Sequence, residues 1–318
     1  MSLLAKFLLF DRFSNMCLAS TLEPLRAATD LGLKQRYQWS IETIDGAPVT
    51  SSSGLRIAPD TAWQPDAECE YLFVIASYGG EHLATKQVLD KLRTARRTAT
   101  TVIGIDTGPW ILAQAGLLDG FKATLHQQIQ IQFAEKFLDV ETLDQPLVWT
   151  DNDRMVTCAD ASGAMRLSCQ IIEKDIGRFA RFDVETLFLG QRLGGANTDA
   201  SADFARQSRS AMTQRAIELA LECVEEPIEL TQAAQKLEVS VKRLNRHLKN
   251  DLGMSYKAMT MHVRLSKARQ LAQLTDMRAL EIAVRTGFSS ASNLHRAYRD
   301  HYAQGLFDVP PSPQRPTQ

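Results

Sequence analysis

The chain has 318 residues, 44% of them hydrophobic and 23% charged, with a net charge of −1. This length exceeds what one hydrophobic core usually fills, so two domains are expected. The balance excludes large-scale disorder, and no stretch reaches the ~20 uninterrupted apolar residues of a membrane span.

The start, MSLLAKFLLFDRF, carries Lys6 within its apolar run and lacks a small-residue cleavage site. It therefore reads as a first buried strand, KFLLF (6–10), rather than a signal peptide. LASTLEPLRAATDLG (18–32) reads as a helix stopped at Gly32. YQWSIETI (37–44) alternates as a strand does. YLFVIAS (71–77) is a continuous apolar run of the kind buried on both faces of a parallel sheet, and Gly79-Gly80 follow it. HLATKQVLDKLRTAR predicts a helix, TTVIGI (100–105) a further strand, and WILAQAGLL a helix ending at Asp119-Gly120. This rhythm predicts an α/β domain over residues 1–190, with a mainly parallel sheet flanked by helices. The five cysteines, Cys17, Cys69, Cys158, Cys169 and Cys223, show no metal-ligand or redox spacing. Reduced thiols in a cytoplasmic protein are expected, with neither a metal nor a cofactor.

The pattern is lost in QRLGGANTDASADFARQSRS (191–210), and residues 191–212 read as a linker. Residues 213–302 read as helices throughout, and 303–318 as a proline-rich tail. Charge divides with the domains. Residues 1–230 hold 22 Lys and Arg against 31 Asp and Glu, whereas residues 231–302 hold 13 against 5. A compact basic segment on an acidic carrier is the footprint of a polyanion-binding module.

Within that segment, residues 230–249 and 280–299 match at an offset of 50, pairing Leu230 with Leu280, Ala233 with Ala283, Ser240 with Ser290, Leu244 with Leu294 and Arg246 with Arg296. Each copy reads as a short helix, a tight turn and a second helix capped by Ser240 or Ser290, with Gly287 suited to a left-handed turn. The polar face of the first recognition helix offers Lys242, Arg243, Asn245, Arg246 and Lys249; the second offers Ser292, Asn293, His295, Arg296 and Arg299. Arg and Asn make two-point hydrogen bonds to guanine and adenine edges. A long helix capped by Ser255 separates the copies. Its roughly 28 Å suits recognition helices set about 34 Å apart in successive major grooves. Residues 230–302 thus resemble the DNA-binding domain of the AraC/XylS family, on VSVKRLNRHLKNDLG, VRLSKARQLAQLTD and EIAVRTGFSSASNLHRAYRD. The departures, Ser255-Tyr256 and YAQGLFDVP, fall at its edges.

GIDTGPWILAQAGLLDGFKATLH (104–126) resembles the nucleophile-elbow segment of the PfpI/ThiJ (class I glutamine amidotransferase-like) superfamily. FSNMCLASTLEPLRAATDLG and DGAPVTSSSGLRIAPD extend the likeness to regulators that carry such a sensor domain. Enzymes of that superfamily hold a cysteine thiolate on the elbow, against a helix N-terminus. The matching residue here is Asp106, with His126 downstream and Gly79 and Gly80 at the glycine turn. Two roles stay open for Asp106: a ligand-facing carboxylate, or the N-cap of a helix opened by Pro109. Trp110 stands between core and pocket.

The resemblance implies a sequence-specific DNA-binding transcriptional regulator. It implies a homodimer through the front domain, a non-catalytic pocket for an amine, betaine or amino acid, and RNA polymerase as a possible partner on double-stranded DNA. The alternative is a hydrolase or hydratase of PfpI/ThiJ type with an appended DNA-binding domain, which the loss of the elbow cysteine disfavours. A purely architectural DNA-binding protein would not need the α/β domain.

Overall fold

The run KFLLF, all but its last residue Phe10, lies in β1 (Ser2–Leu9), which pairs in parallel with β2 (Arg36–Thr43) and with β6 (Cys69–Ala76). The computed structural model describes residues 2–31, 36–189, 211–302 and 304–308. Two-residue strands β3 (Val49–Thr50) and β4 (Arg56–Ile57) form a separate ribbon, and β5 (Thr61–Ala62) edges the main sheet. β7 (Ala99–Asp106) lies beside β6. β8 (Lys122–Ala123) and β9 (Glu141–Thr142) pair apart from the main sheet, whereas β10 (Leu147–Thr150) and β11 (Met155–Cys158) form a hairpin on its far edge. The order is β10-β11-β7-β6-β1-β2-β5, parallel except at β10. From Tyr71 to Ala76 every residue of β6 is buried, which is what a run such as YLFVIA requires in a sheet covered on both faces. The β10–β11 hairpin had no sequence expectation. Its turn takes Asp151, Asn152 and Asp153 through positive φ, a conformation that short polar side chains tolerate.

The covering helices are α1 (Asn15–Asp30), α2 (Gly80–Leu83), α3 (Lys86–Thr98), α4 (Gly108–Gln114), α5 (Gln130–Lys136) and α6 (Ala161–Asp175). The single helix expected from residue 82 is two, because Thr85 caps α3 by accepting from the Val88 amide. Gly32, expected to stop α1, lies outside the described residues.

The chain divides into two compact units within α6, at Ile171 and Ile172. The back unit contains α7 (Arg178–Leu189), α8 (Ala211–Glu222), α9 (Leu230–Lys236), α10 (Val241–Leu252), α11 (Tyr256–Leu274), α12 (Ala279–Arg285) and α13 (Ala291–Tyr302). Sequence position had assigned α7 to the front domain; in the structure it packs with the back one. The expected linker lies outside the described residues apart from Ala211 and Met212, which open α8, and only 304–308 of the tail is described. Ser240, Ser255 and Ser290 accept from the amides of Arg243, Ala258 and Asn293, as expected of N-caps. Among the described residues no helix is long and apolar enough to cross a membrane.

Two cores lie side by side along α11. Its first half puts Met259 and Val263 against Leu244 and Leu248; its second half puts Leu265 and Ala268 against Ile282, Leu294 and Tyr298. The offset of 50 holds for α10 and α13 but not for the helices before them. α9 starts at Leu230 and α12 at Ala279, so the offset there is 49, because the turn before α13 is one residue longer. The pairing of Leu230 with Leu280 therefore fails, and Leu280 is 62% exposed.

Candidate functional site

β7 ends in a tight turn. Asp106 has φ 62°, a left-handed conformation that Asp adopts at less cost than most side chains. Gly108 follows, and a Cβ there would run into the Val74 carbonyl oxygen, so only glycine lets α4 start this close to β6. Thr107, not Asp106, occupies the N-cap position of α4, and its hydroxyl donates to the Ser77 carbonyl oxygen at 2.6 Å. The capping role open to Asp106 is thereby removed, and its carboxylate is available to the space in front of the elbow.

That space is a cavity of about 250 Å³ at the carboxyl ends of β1, β6 and β7, where parallel sheets bind ligands. Asp106, His126, Gly79 and Trp110 all line it, so four of the five expected residues converge; Gly80 opens α2. Trp110 serves both roles left open for it. It lines the cavity and packs edge-on against Phe133 and Phe137, with Lys136 Nζ 4.9 Å over its ring. Asp106 is 5% exposed, and burial pushes its carboxyl up to about 6, against the lowering pull of His126 and the Ser77 hydroxyl. The His126 amide donates to the Asp106 carbonyl oxygen, and its ring Nδ1 accepts from the Gln128 amide at 3.4 Å. With Nδ1 used as an acceptor, neutral His126 carries its proton on Nε2 and acts there as a donor.

Ser14, Ser52, Ser77, Tyr78, Thr107, Gln128 and Gln132 complete the polar lining and were not foreseen. Ser77 and Tyr78 directly follow a parallel strand, a position that could have flagged them. Ser14 and Ser52 meet through a backbone hydrogen bond from Ser52 to Phe13, which no local pattern signals. Among the described lining residues there is no Lys or Arg. No thiol occupies the elbow. Burial pushes Cys17, just below it, up to about 12, and raises Cys158 well above its ordinary value.

In the back unit the recognition helices present matched faces. At about 100° per residue, Lys242, Arg246 and Lys249 lie opposite buried Leu244, and Ser292, Arg296 and Arg299 opposite buried Leu294; all six are exposed. The remaining expected residues flank these arcs. Arg243 is exposed, and Asn245, Asn293 and His295 are half-buried. Asn293 is engaged already, donating to Ser289 Oγ at 2.7 Å and accepting from Arg296 at 3.0 Å, while the His295 ring sits 6.1 Å from that of Phe307.

Known proteins divide in the same way. Residues 5–174 match the DJ-1/PfpI family and residues 233–305 a helix-turn-helix domain. The HTH-type transcriptional regulator CdhR of Pseudomonas aeruginosa is 31% identical over 300 residues, covering 93% of this chain and 88% of its own length. The HTH-type transcriptional regulator GbdR of the same organism is 28% identical over 314 residues, covering 98% and 84%. Drosophila melanogaster DJ-1beta superposes with a TM-score of 0.51 at 20% identity, over 59% of this chain and 98% of that one, a likeness of fold.

Proposed function

Because the chain belongs to the DJ-1/PfpI family and to the HTH-type transcriptional regulators, it is a DNA-binding regulator, and we propose that a small cationic nitrogen compound bound at Asp106 governs it. The observation that carries this reading is the buried Asp106 carboxylate in a cavity whose described lining offers no Lys or Arg. A buried carboxylate with only the Ser77 hydroxyl and His126 beside it is costly, and a cationic ligand relieves that cost. The Nε2–H of His126 and the amides of Gln128 and Gln132 suit a carboxylate or carbonyl elsewhere on the same ligand. An amino acid or betaine meets both demands, and a cavity of about 250 Å³ suits a metabolite smaller than a drug-sized ligand.

The pocket binds without catalysis, since a carboxylate replaces the elbow thiol and the nearby cysteines are poor nucleophiles. The ten polar residues on α10 and α13 carry the DNA contacts, with Arg246 and Arg296 reading bases. The family resemblance supports a homodimer formed through the front domain. The test is a thermal-shift screen of the whole protein against amines, betaines and amino acids. Gel-shift titrations on DNA selected from a random pool, with and without the best hit, then follow. A hit that stabilises the protein and changes DNA affinity is the expected result. Stabilisation only by compounds lacking a cationic nitrogen would overturn the ligand class. Turnover lost on replacing one cysteine would overturn the non-catalytic reading.

A further inference from the structure

Helix α7 lies outside the residues that match the helix-turn-helix domain, yet its side chains reach both halves of that domain. Arg178 donates to the carbonyl oxygen of Leu252, the last residue of the first recognition helix. Asp183 accepts from the hydroxyl of Tyr302, the last residue of the second, at 3.4 Å. Leu252 and Tyr302 are equivalent positions of the repeat, separated by the offset of 50 that aligns α10 with α13. Asp183 lies five positions after Arg178, about 7.5 Å along a helix. One short stretch of α7 therefore holds the matching ends of both recognition helices.

Asp183 is also tied to the spacer between them. Its Oδ1 lies 2.8 Å from His262 Nε2 and its Oδ2 3.6 Å from Arg269, both on α11. Arg269 stacks over the Tyr302 ring at 3.7 Å and donates to the Tyr298 hydroxyl. His262 Nδ1 lies 2.8 Å from His301 Nε2, and Phe179 of α7 stacks on the His262 imidazole and meets that of His301 edge-on. Asp183, His262, Arg269 and Tyr302 are all at least nine-tenths buried. A buried carboxylate is tolerable only when its partners are in place. Swinging α13 away from α11 would take Tyr302 from Asp183 and Arg269 from Tyr302 together. The cluster therefore favours one arrangement of the two halves and penalises others.

We propose that α7 is a third component of the DNA-binding unit and that Asp183 is a positioning residue fixing the two recognition helices for simultaneous entry into adjacent grooves. This rests on the reading that one chain uses both recognition helices on DNA.

The test uses the full chain and DNA selected from a random pool with the wild-type protein. Affinity is measured for the selected two-part site and for versions with either part scrambled. The ratio of two-part to one-part affinity reports how well the halves act together, and lost stability alone would not move it. Asp183→Asn removes the charge but keeps the shape, and it should lower that ratio about tenfold with one-part binding unchanged. Tyr302→Phe deletes only the hydroxyl that reaches Asp183 and should lower it in the same direction by less. If Asp183→Asn does not fold by circular dichroism, Tyr302→Phe decides by the same ratio. Wild-type ratios in the folded variants, or equal losses on all probes, would overturn the clamp. A wild-type protein indifferent to scrambling would remove the two-helix reading and the clamp with it.

Discussion

The front and back units carry their working charges in opposite ways. Asp106 holds one negative charge 5% exposed at the end of a strand, whereas the recognition helices hold Lys242, Arg246, Lys249, Arg296 and Arg299 out in water. A desolvated single charge recognises one complementary group at short range, where salt hardly reaches it. An exposed array recognises a long polyanion by displacing its counterions. Under the proposed function, the same chain would read a metabolite and DNA without either site competing for the other's ligand.

Salt separates the two modes most widely. Between 50 and 200 mM salt, DNA affinity should fall by about 10³- to 10⁵-fold if about six to ten phosphates are neutralised. The affinity of the ligand found by thermal shift should change by less than about threefold, because its partner charge is buried. Fluorescence anisotropy on labelled DNA and calorimetry on the ligand, in matched buffers, make the comparison. Equal salt slopes would mean that the ligand sits on the surface and not at Asp106.

Next in size come the arginines. Arg246→Ala and Arg296→Ala should each cost ~1–3 kcal/mol of binding to the selected site and relax base preference at their own positions. Lys249→Ala should weaken all sequences alike and lower the salt slope by about 1, as a phosphate contact does. Wild-type binding by both arginine variants would break the recognition-face assignment. Arg296 differs from Arg246 in already donating to Asn293, so part of its effect depends on releasing that bond.

At the elbow, Asp106→Asn keeps the shape and removes the charge. Ligand affinity should drop about tenfold or more, the size of a charge-assisted contact. The pH dependence gives an independent handle. Burial raises the Asp106 carboxyl from 3.8 to about 6, so the folded chain keeps a proton that the unfolded chain has lost between those values. That contribution to stability is present below the lower value and disappears as pH rises through about 6. Affinity for a cation runs the other way and grows through the same window, as the carboxylate forms. In Asp106→Asn both slopes should flatten. Calorimetry and thermal melting from pH 4.5 to 7.5 read them, and an unchanged ligand slope in the variant would place the titration elsewhere.

How far the sequence reached depends on whether a signal is local. The strands β1, β2, β6 and β7 were legible because runs such as YLFVIA fit only a doubly covered sheet, and their ends fell within a few residues of expectation. Asp106 and His126 could be found because they sit on one continuous segment with a recognisable turn. Ser14 and Ser52 could not, since two separate loops bring them together. Helix α7 was assigned to the wrong neighbour for the same reason: Phe182 and Asp183 meet partners about 70 to 120 residues away, and no periodicity in RFARFDVETLFL indicates which core they join. The repeat was visible, but the extra residue in the second turn was not, because matching Ala233 with Ala283 ignores that Ala234 and Ile282 are buried as well.

The two turns of that repeat differ in one further respect, and it carries the smallest expected effect. Each needs a left-handed residue between its helices: Gly287 at φ 70° in the second, but Glu238 at φ 57° in the first. Glu238 is exposed, so its side chain gives up little on removal. Glu238→Gly should relieve a backbone cost of about 1–2 kcal/mol and add about 0.5–1 kcal/mol of unfolded-state freedom, a net gain of about 0.5 kcal/mol. The reverse exchange is not symmetrical. A Cβ at Gly287 would lie 2.7 Å from Pro227 Cδ, 2.8 Å from the Val224 carbonyl oxygen and 2.9 Å from that of Glu225. Two of those are backbone atoms that cannot swing aside, so Gly287→Ala should cost the full ~1–2 kcal/mol of the left-handed conformation and more. Amide exchange read separately in α10 and α13 follows each half without assuming that the chain unfolds as one unit. Protection should rise about twofold in α10 for Glu238→Gly and fall about tenfold or more in α13 for Gly287→Ala. Slower exchange in α13 on Gly287→Ala would mean that the second turn is not the tighter of the two.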